Sequence, residues 1–127
     1  MRKHASFLLA LAAGIALGAG GIGVLEAQGT KKPAYVIAEV EITDAAAFQA
    51  YAAKVPDTMK LYNARYIVRG KADAKEGEAP KGLIVVQAFD SMDDAQKWYS
   101  TPPYAPLIAE RQKATHSRVY IVEGLPQ

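Results

Sequence analysis

The sequence contains no cysteine, one tryptophan and two histidines, and each scarcity removes a class of chemistry. Without cysteine there is no disulfide framework and no thiolate nucleophile. Of the histidines, His4 sits in the leading segment and only His116 accompanies the domain. A lone histidine, with no second His and no convergent carboxylate pair, is a poor metal ligand. An axial haem contact is the one cofactor role open to it, so no cofactor and no metal are expected. Phosphate loop, nucleophile elbow and zinc spacing are all missing. An excess of one charge is missing too: Lys plus Arg number 15 and Asp plus Glu 13. Setting aside residues 1–27 removes Arg2, Lys3 and Glu26, which leaves a net charge of +1. A near-neutral domain gives no case for nucleic acid.

What is present begins with a targeting pattern. Met1-Arg2-Lys3-His4 is a basic start, Ala5 to Leu25 carries no charge, and Ala27 precedes a polar stretch. Basic head, apolar middle and small-residue exit describe a secretory signal over residues 1–27. The rival is a retained membrane anchor, since 21 uncharged residues are enough to cross a bilayer. Glycines at 14, 18, 20, 21 and 23 speak against the anchor, each weakening a helix in water by up to about 1 kcal/mol. Either way the domain is expected outside the cytoplasm, periplasmic or secreted. The membrane is touched only through residues 5–25, and only if the leader stays attached. A linker, residues 28–33, then leads into a domain over residues 34–124.

Within that domain four strands and their helices can be read from periodicity. Ala34 to Ile42 alternates strictly, with Val36 and Val40 on one face and Tyr35, Ile37 and Glu39 on the other. Asp44 is a good N-cap for an alanine-rich helix whose stripe is Phe48, Ala52, Val55, Met59 and Tyr62. Pro56 falls inside it and predicts a kink or break near Val55. Asn63 can close the helix in the left-handed conformation. Arg65–Arg69 and Leu83–Phe89 read as a hairpin around a long polar loop. Ser91 and Asp94 frame a second helix start, Pro102-Pro103 interrupts it, and a helix from about Tyr104 to Thr115 precedes a last strand, Arg118–Glu123. The order β-α-β-β-α-β is the ferredoxin-like arrangement, an α+β fold with a four-stranded antiparallel sheet and helices on one face.

Several stretches carry a more specific likeness. Ala34-Tyr35-Val36-Ile37-Ala38-Glu39, Arg65 to Gly70, Phe89-Asp90-Ser91, Trp98-Tyr99-Ser100 with Pro103-Tyr104, Arg111, and Val122-Glu123-Gly124 resemble the domain of unknown function 1330 family over residues 33–124. The chain has Asn63-Ala64 where that family commonly has two glycines. The resemblance implies membership of the dimeric α+β-barrel superfamily, whose members include cofactor-free monooxygenases, lactone isomerases, haem-dependent peroxidases and proteins of no known activity. It therefore implies a homodimer, two sheets facing each other, and leaves the chemistry open.

Candidate residues follow from the sheet alternation. If Val36, Val40, Ile84 and Val86 face the helices, then Tyr35, Glu39, Arg65, Arg69 and Gln87 share the other face with Ile37, Ile67, Val85 and Phe89. A carboxylate, an amide and guanidinium groups on an apolar floor have the composition of a small-molecule pocket. The plainer alternatives are a solvated face or polar contacts across a dimer. Trp98, Tyr99, Tyr104 and Arg111 are expected to be structural, Arg111 tying its helix to the Trp98–Tyr104 segment. Two functions remain: a periplasmic small-molecule-binding dimer, or a cofactor-independent isomerase or monooxygenase acting on a carbon acid. In the second, Glu39 is a base with its pKa raised by burial and Arg65 holds an anionic group.

Overall fold

A computed structural model describes residues 31–127. The candidate signal or anchor lies outside the described residues. Among the described residues no helix is long and apolar enough to cross a membrane.

The elements run β1 (Ala34–Ile42), α1 (Ala45–Met59), a 3-10 turn (Lys60–Tyr62), β2 (Arg65–Gly70), β3 (Leu83–Phe89), α2 (Met92–Ser100), α3 (Ala105–Ala114) and β4 (Thr115–Glu123). The strands form one antiparallel sheet in the order β2-β3-β1-β4, which is the ferredoxin-like topology. Local chemistry sets the helix starts. The Asp44 carboxylate accepts from Ala47 N at 3.0 Å and caps α1, and the Ser91 hydroxyl accepts from Asp94 N at 3.0 Å and caps α2. Asn63 closes the 3-10 turn with φ 51°, a left-handed conformation that its short polar side chain tolerates.

Two expectations change here. The helix is not broken at Pro56: α1 continues to Met59. The ring costs one intrahelical hydrogen bond, but Val55 and Met59, on either side of it, are both buried and keep the helix on the sheet. The last strand starts three residues earlier than its pattern suggests. Thr115 is already opposite Ile42, and its hydroxyl bonds back to the Arg111 carbonyl at 2.7 Å, so α3 turns into β4 without a loop.

Cross-strand register decides which side chains face the helices. Val36 lies opposite Gln87 and Ile121, Ala38 opposite Val85 and Val119, and Val40 opposite Leu83. In β2, Tyr66 is opposite Gln87 and Arg69 opposite Val85, with a register shift between Tyr66 and Val68. Opposite residues share a face. The helix side therefore carries Val36, Val40, Tyr66, Arg69, Leu83, Val85, Gln87 and Phe89. This reverses the expected phase of β3: Ile84 and Val86, not Val85, Gln87 and Phe89, look away from the helices. The strand Leu-Ile-Val-Val-Gln-Ala-Phe is apolar on both faces, so its own alternation cannot set the phase, and pairing with β1 does. Arg69 changes sides for a related reason, because the shift in β2 breaks simple alternation with Arg65.

Under the helices lies an aromatic core. Trp98 stacks on Tyr104 with ring centroids 3.9 Å apart and meets Phe89 at 5.2 Å. Its indole N–H donates to Thr58 Oγ1 at 3.0 Å, and Thr58 donates in turn to the Val55 carbonyl at 2.6 Å. The buried indole is thus both packed and satisfied.

Candidate functional site

Between the helix side of the sheet and α1 there is a partly open cavity of about 90 Å³. Its floor is Ala38 and Val40 from β1 with Leu83 and Val85 from β3, and its roof is Phe48, Tyr51 and Ala52 from α1. The roof residues follow helical spacing, which turns all three toward the sheet. Polar groups enter from the ends: Tyr66 and Arg69 from β2, Gln87 from β3 and Arg111 from α3. The Lys54–Glu110 ion pair, 2.9 Å, fastens α1 to α3 at the surface above.

Arg111 is 4% exposed, and no carboxylate meets it among the described residues. One terminal nitrogen donates to Tyr104 Oη at 2.7 Å and the other to Tyr99 Oη at 3.2 Å. Tyr104 Oη is shared with Tyr51 Oη at 2.8 Å. The Arg111 Nε is buried with no partner. Burial opposes its charge; the guanidinium pKa is nonetheless raised, chiefly by the charge Tyr104 carries as a phenolate and then by the Tyr99 and Tyr51 oxygens. At neutral pH, with Tyr104 a neutral phenol, only hydrogen-bond dipoles face the buried cation. The Tyr104 phenol is pushed well up by burial and by Tyr51, with Arg111 acting the other way. Both groups keep their protons at neutral pH.

The mouth is built on β2. The Arg69 guanidinium lies 4.7 Å from the centroid of the Tyr66 ring, a cation–π geometry. Burial and Tyr51 raise the Tyr66 pKa, while Arg69 and Gln87 pull it back. Gln87, 7% exposed, spends one N–H on Met59 Sδ at 3.3 Å. No Asp, Glu or His lines this cavity among the described residues.

The sequence-derived candidates separate onto two faces. Gln87 and Arg69 line the helix-side cavity, while Tyr35, Glu39 and Arg65 stay on the open face of the sheet. Glu39 is not beside Gln87 or Arg65. It accepts from Arg118 at 2.6 Å and from Tyr120 at 3.0 Å, both on β4. The Arg118 hydrogen bond lowers the carboxyl pKa, burial opposes it, and Tyr120 adds to the lowering. A base with a raised pKa at Glu39 is therefore not what the structure contains. A larger hollow, about 590 Å³, lies beside Glu39, Glu41, His116 and Arg118, but it opens to solvent at the end of the sheet. His116 is exposed there, opposite Glu41. Among the described residues no group of three His, Cys, Asp or Glu could hold a metal. Trp98 lines neither hollow and belongs to the core.

Tyr51 and Tyr66 are the cavity residues that sequence reasoning passed over. A signal existed for Tyr51, which follows Phe48 by three positions on the same helical face. Tyr66 could be placed only through its pairing with Gln87.

The family profile of a domain of unknown function, DUF1330, matches residues 33–125. No curated protein matches the chain by sequence. Among solved structures, a protein of unknown function from Rhodopseudomonas palustris superposes with a TM-score of 0.62 at 15% identity, covering 85% of this chain and 94% of its own. SnoaB, a cofactor-independent oxygenase from Streptomyces nogalater, gives 0.52 at 10% identity, over 72% and 91%. A dimeric ferredoxin-like protein of unknown function from Thermobifida fusca gives 0.50 at 12% identity, over 75% and 92%. At these identities the likeness is one of fold.

Proposed function

We propose that this chain, which belongs to the DUF1330 family of domains of unknown function, is an exported homodimeric protein that binds a small organic molecule in the helix-side cavity of each protomer. The observation that carries the reading is convergence. Tyr66, Arg69, Gln87 and Arg111 all line one partly open cavity whose floor and roof are mostly apolar. A few placed polar groups on an apolar lining are the usual make-up of a ligand site. Its volume is below the roughly 300–1,000 Å³ of drug-sized pockets, so the ligand is a molecule of few heavy atoms or the head of a larger one.

Binding is favoured over catalysis by the lining itself. The ionisable groups there are phenols and guanidinium groups, and no carboxylate or imidazole joins them among the described residues. Proton abstraction from a carbon acid asks for a group with a pKa near the working pH. The fold likeness to a cofactor-independent oxygenase does not supply one. Dimerisation rests on the open sheet face, where Ile67, Val68, Tyr120 and Val122 are each 40–46% exposed around Ile37, Ile84 and Val86. A contiguous apolar face of this kind marks an interaction surface, and a twofold axis lets a second copy cover it. Export rests on the basic head and uncharged run of residues 1–25.

Amide NMR of the purified protein, titrated with a panel of small organic acids, amides and alcohols, tests the site. Shifts should gather at Phe48, Tyr66 and the Gln87 side-chain amide. Shifts confined to Glu39, Arg118 and Tyr120 would move the site to the open face and end this reading.

A further inference from the structure

The cavity's polar groups are unbalanced in two ways. Arg111 and Arg69 bring two positive charges, and no carboxylate lines the space among the described residues. A buried charge is normally paired, because the cost of leaving water is otherwise unmet. Arg111 has phenol oxygens on its terminal nitrogens and nothing on Nε. The second imbalance is in hydrogen bonding. Guanidinium groups donate only, and one of the two Gln87 N–H groups is spent on Met59. The phenols of Tyr51 and Tyr104 are engaged with each other. What the lining still asks for is an acceptor carrying negative charge.

We infer that the ligand of this cavity is a small organic carboxylate, its oxygens against the guanidinium groups of Arg111 and Arg69 and its apolar body against Phe48, Val85 and the Tyr66 ring. The inference rests on the cavity being the ligand site and adds the chemical class. Planar carboxylates suit the guanidinium fork, and such charge-assisted bonds are about twice as strong as neutral ones. A carboxylate in this position meets the charge that the fold leaves open and gives the Nε donor a partner. A neutral amide of the same shape brings a weaker acceptor and no charge to set against the guanidinium groups.

The test pairs acids with their amides. Dissociation constants for benzoate and benzamide, and for isobutyrate and isobutyramide, are measured by amide NMR on the purified full chain at neutral pH. Each acid should bind at least about tenfold more tightly than its amide, as one charge-assisted hydrogen bond warrants. Arg69→Gln, on an exposed strand position, should cut that ratio by about threefold or more. Arg111→Met should abolish the preference. Equal affinities for acid and amide, with shifts still at Phe48 and Gln87, overturn the carboxylate assignment and leave the cavity as a ligand site. No shifts at the cavity from either member of both pairs overturn the assignment and the site together.

Discussion

Arg111 holds the least compensated charge in the core, and its substitutions should separate packing from electrostatics. Truncation in Arg111→Ala removes the donors to Tyr104 and Tyr99 and opens space beside Tyr51. It should cost about 2–4 kcal/mol in urea unfolding, the range of cavity-forming core changes. Methionine of similar length keeps the volume and deletes the buried charge, and replacing a poorly paired ion by an apolar group is often neutral or stabilising. Arg111→Met should therefore lie within about 1 kcal/mol of the parent, or above it. At Glu39 the sign of the pH effect is fixed by its lowered pKa. Its ion pair with Arg118 contributes stability above the unfolded carboxyl value of about 4.3 and loses it as pH falls through the lower folded value. Stability measured from about pH 6 down to about pH 3 should fall less steeply in Glu39→Gln than in the parent.

At the level of the elements, the strands are held by close backbone approach as much as by side chains. Gly82, just before β3, has φ +78°, and a Cβ there would run into the Val40 carbonyl. Gly82→Ala should cost roughly 2–4 kcal/mol, since strain and clash act together. Asn63, also left-handed, is milder: Asn63→Gly should be neutral to slightly stabilising, and Asn63→Ala should lose about 1 kcal/mol. Element order, the Asp44 and Ser91 caps and the limits of β1 and β3 were all legible in the sequence, because caps and alternation are local signals. The phase of β3 was not, and with it went the site. Val85 and Val86 are equally good strand residues, and only pairing with β1 tells which one meets the helices. The turn from α3 into β4 was hidden too, since Thr115 reads as the end of the helix and His116 and Ser117 as loop until Ile42, Glu41 and Val40 pair with them.

Across the whole molecule the two faces of the sheet divide the work. One face, with the helices, holds the cavity around Arg111, Arg69 and Gln87; the other carries Ile37, Ile84, Val86 and the Glu39–Arg118–Tyr120 cluster, and is the face that meets a second copy in the dimer we propose. On that proposal each protomer owns its ligand site, and dimerisation adds stability without completing the pocket. Val86 sits in the middle strands between Ile37 and Val68, so a charge there should split the dimer, read as a halved mass in sedimentation. A site built between the two sheets would vanish with the dimer, whereas a site inside the protomer would not. The deciding measurement is a benzoate titration of Val86→Glu after sedimentation has shown it monomeric. The account predicts one site per chain with an affinity within about threefold of the dimer, a difference of well under 1 kcal/mol. Loss of binding in a folded monomer would contradict it.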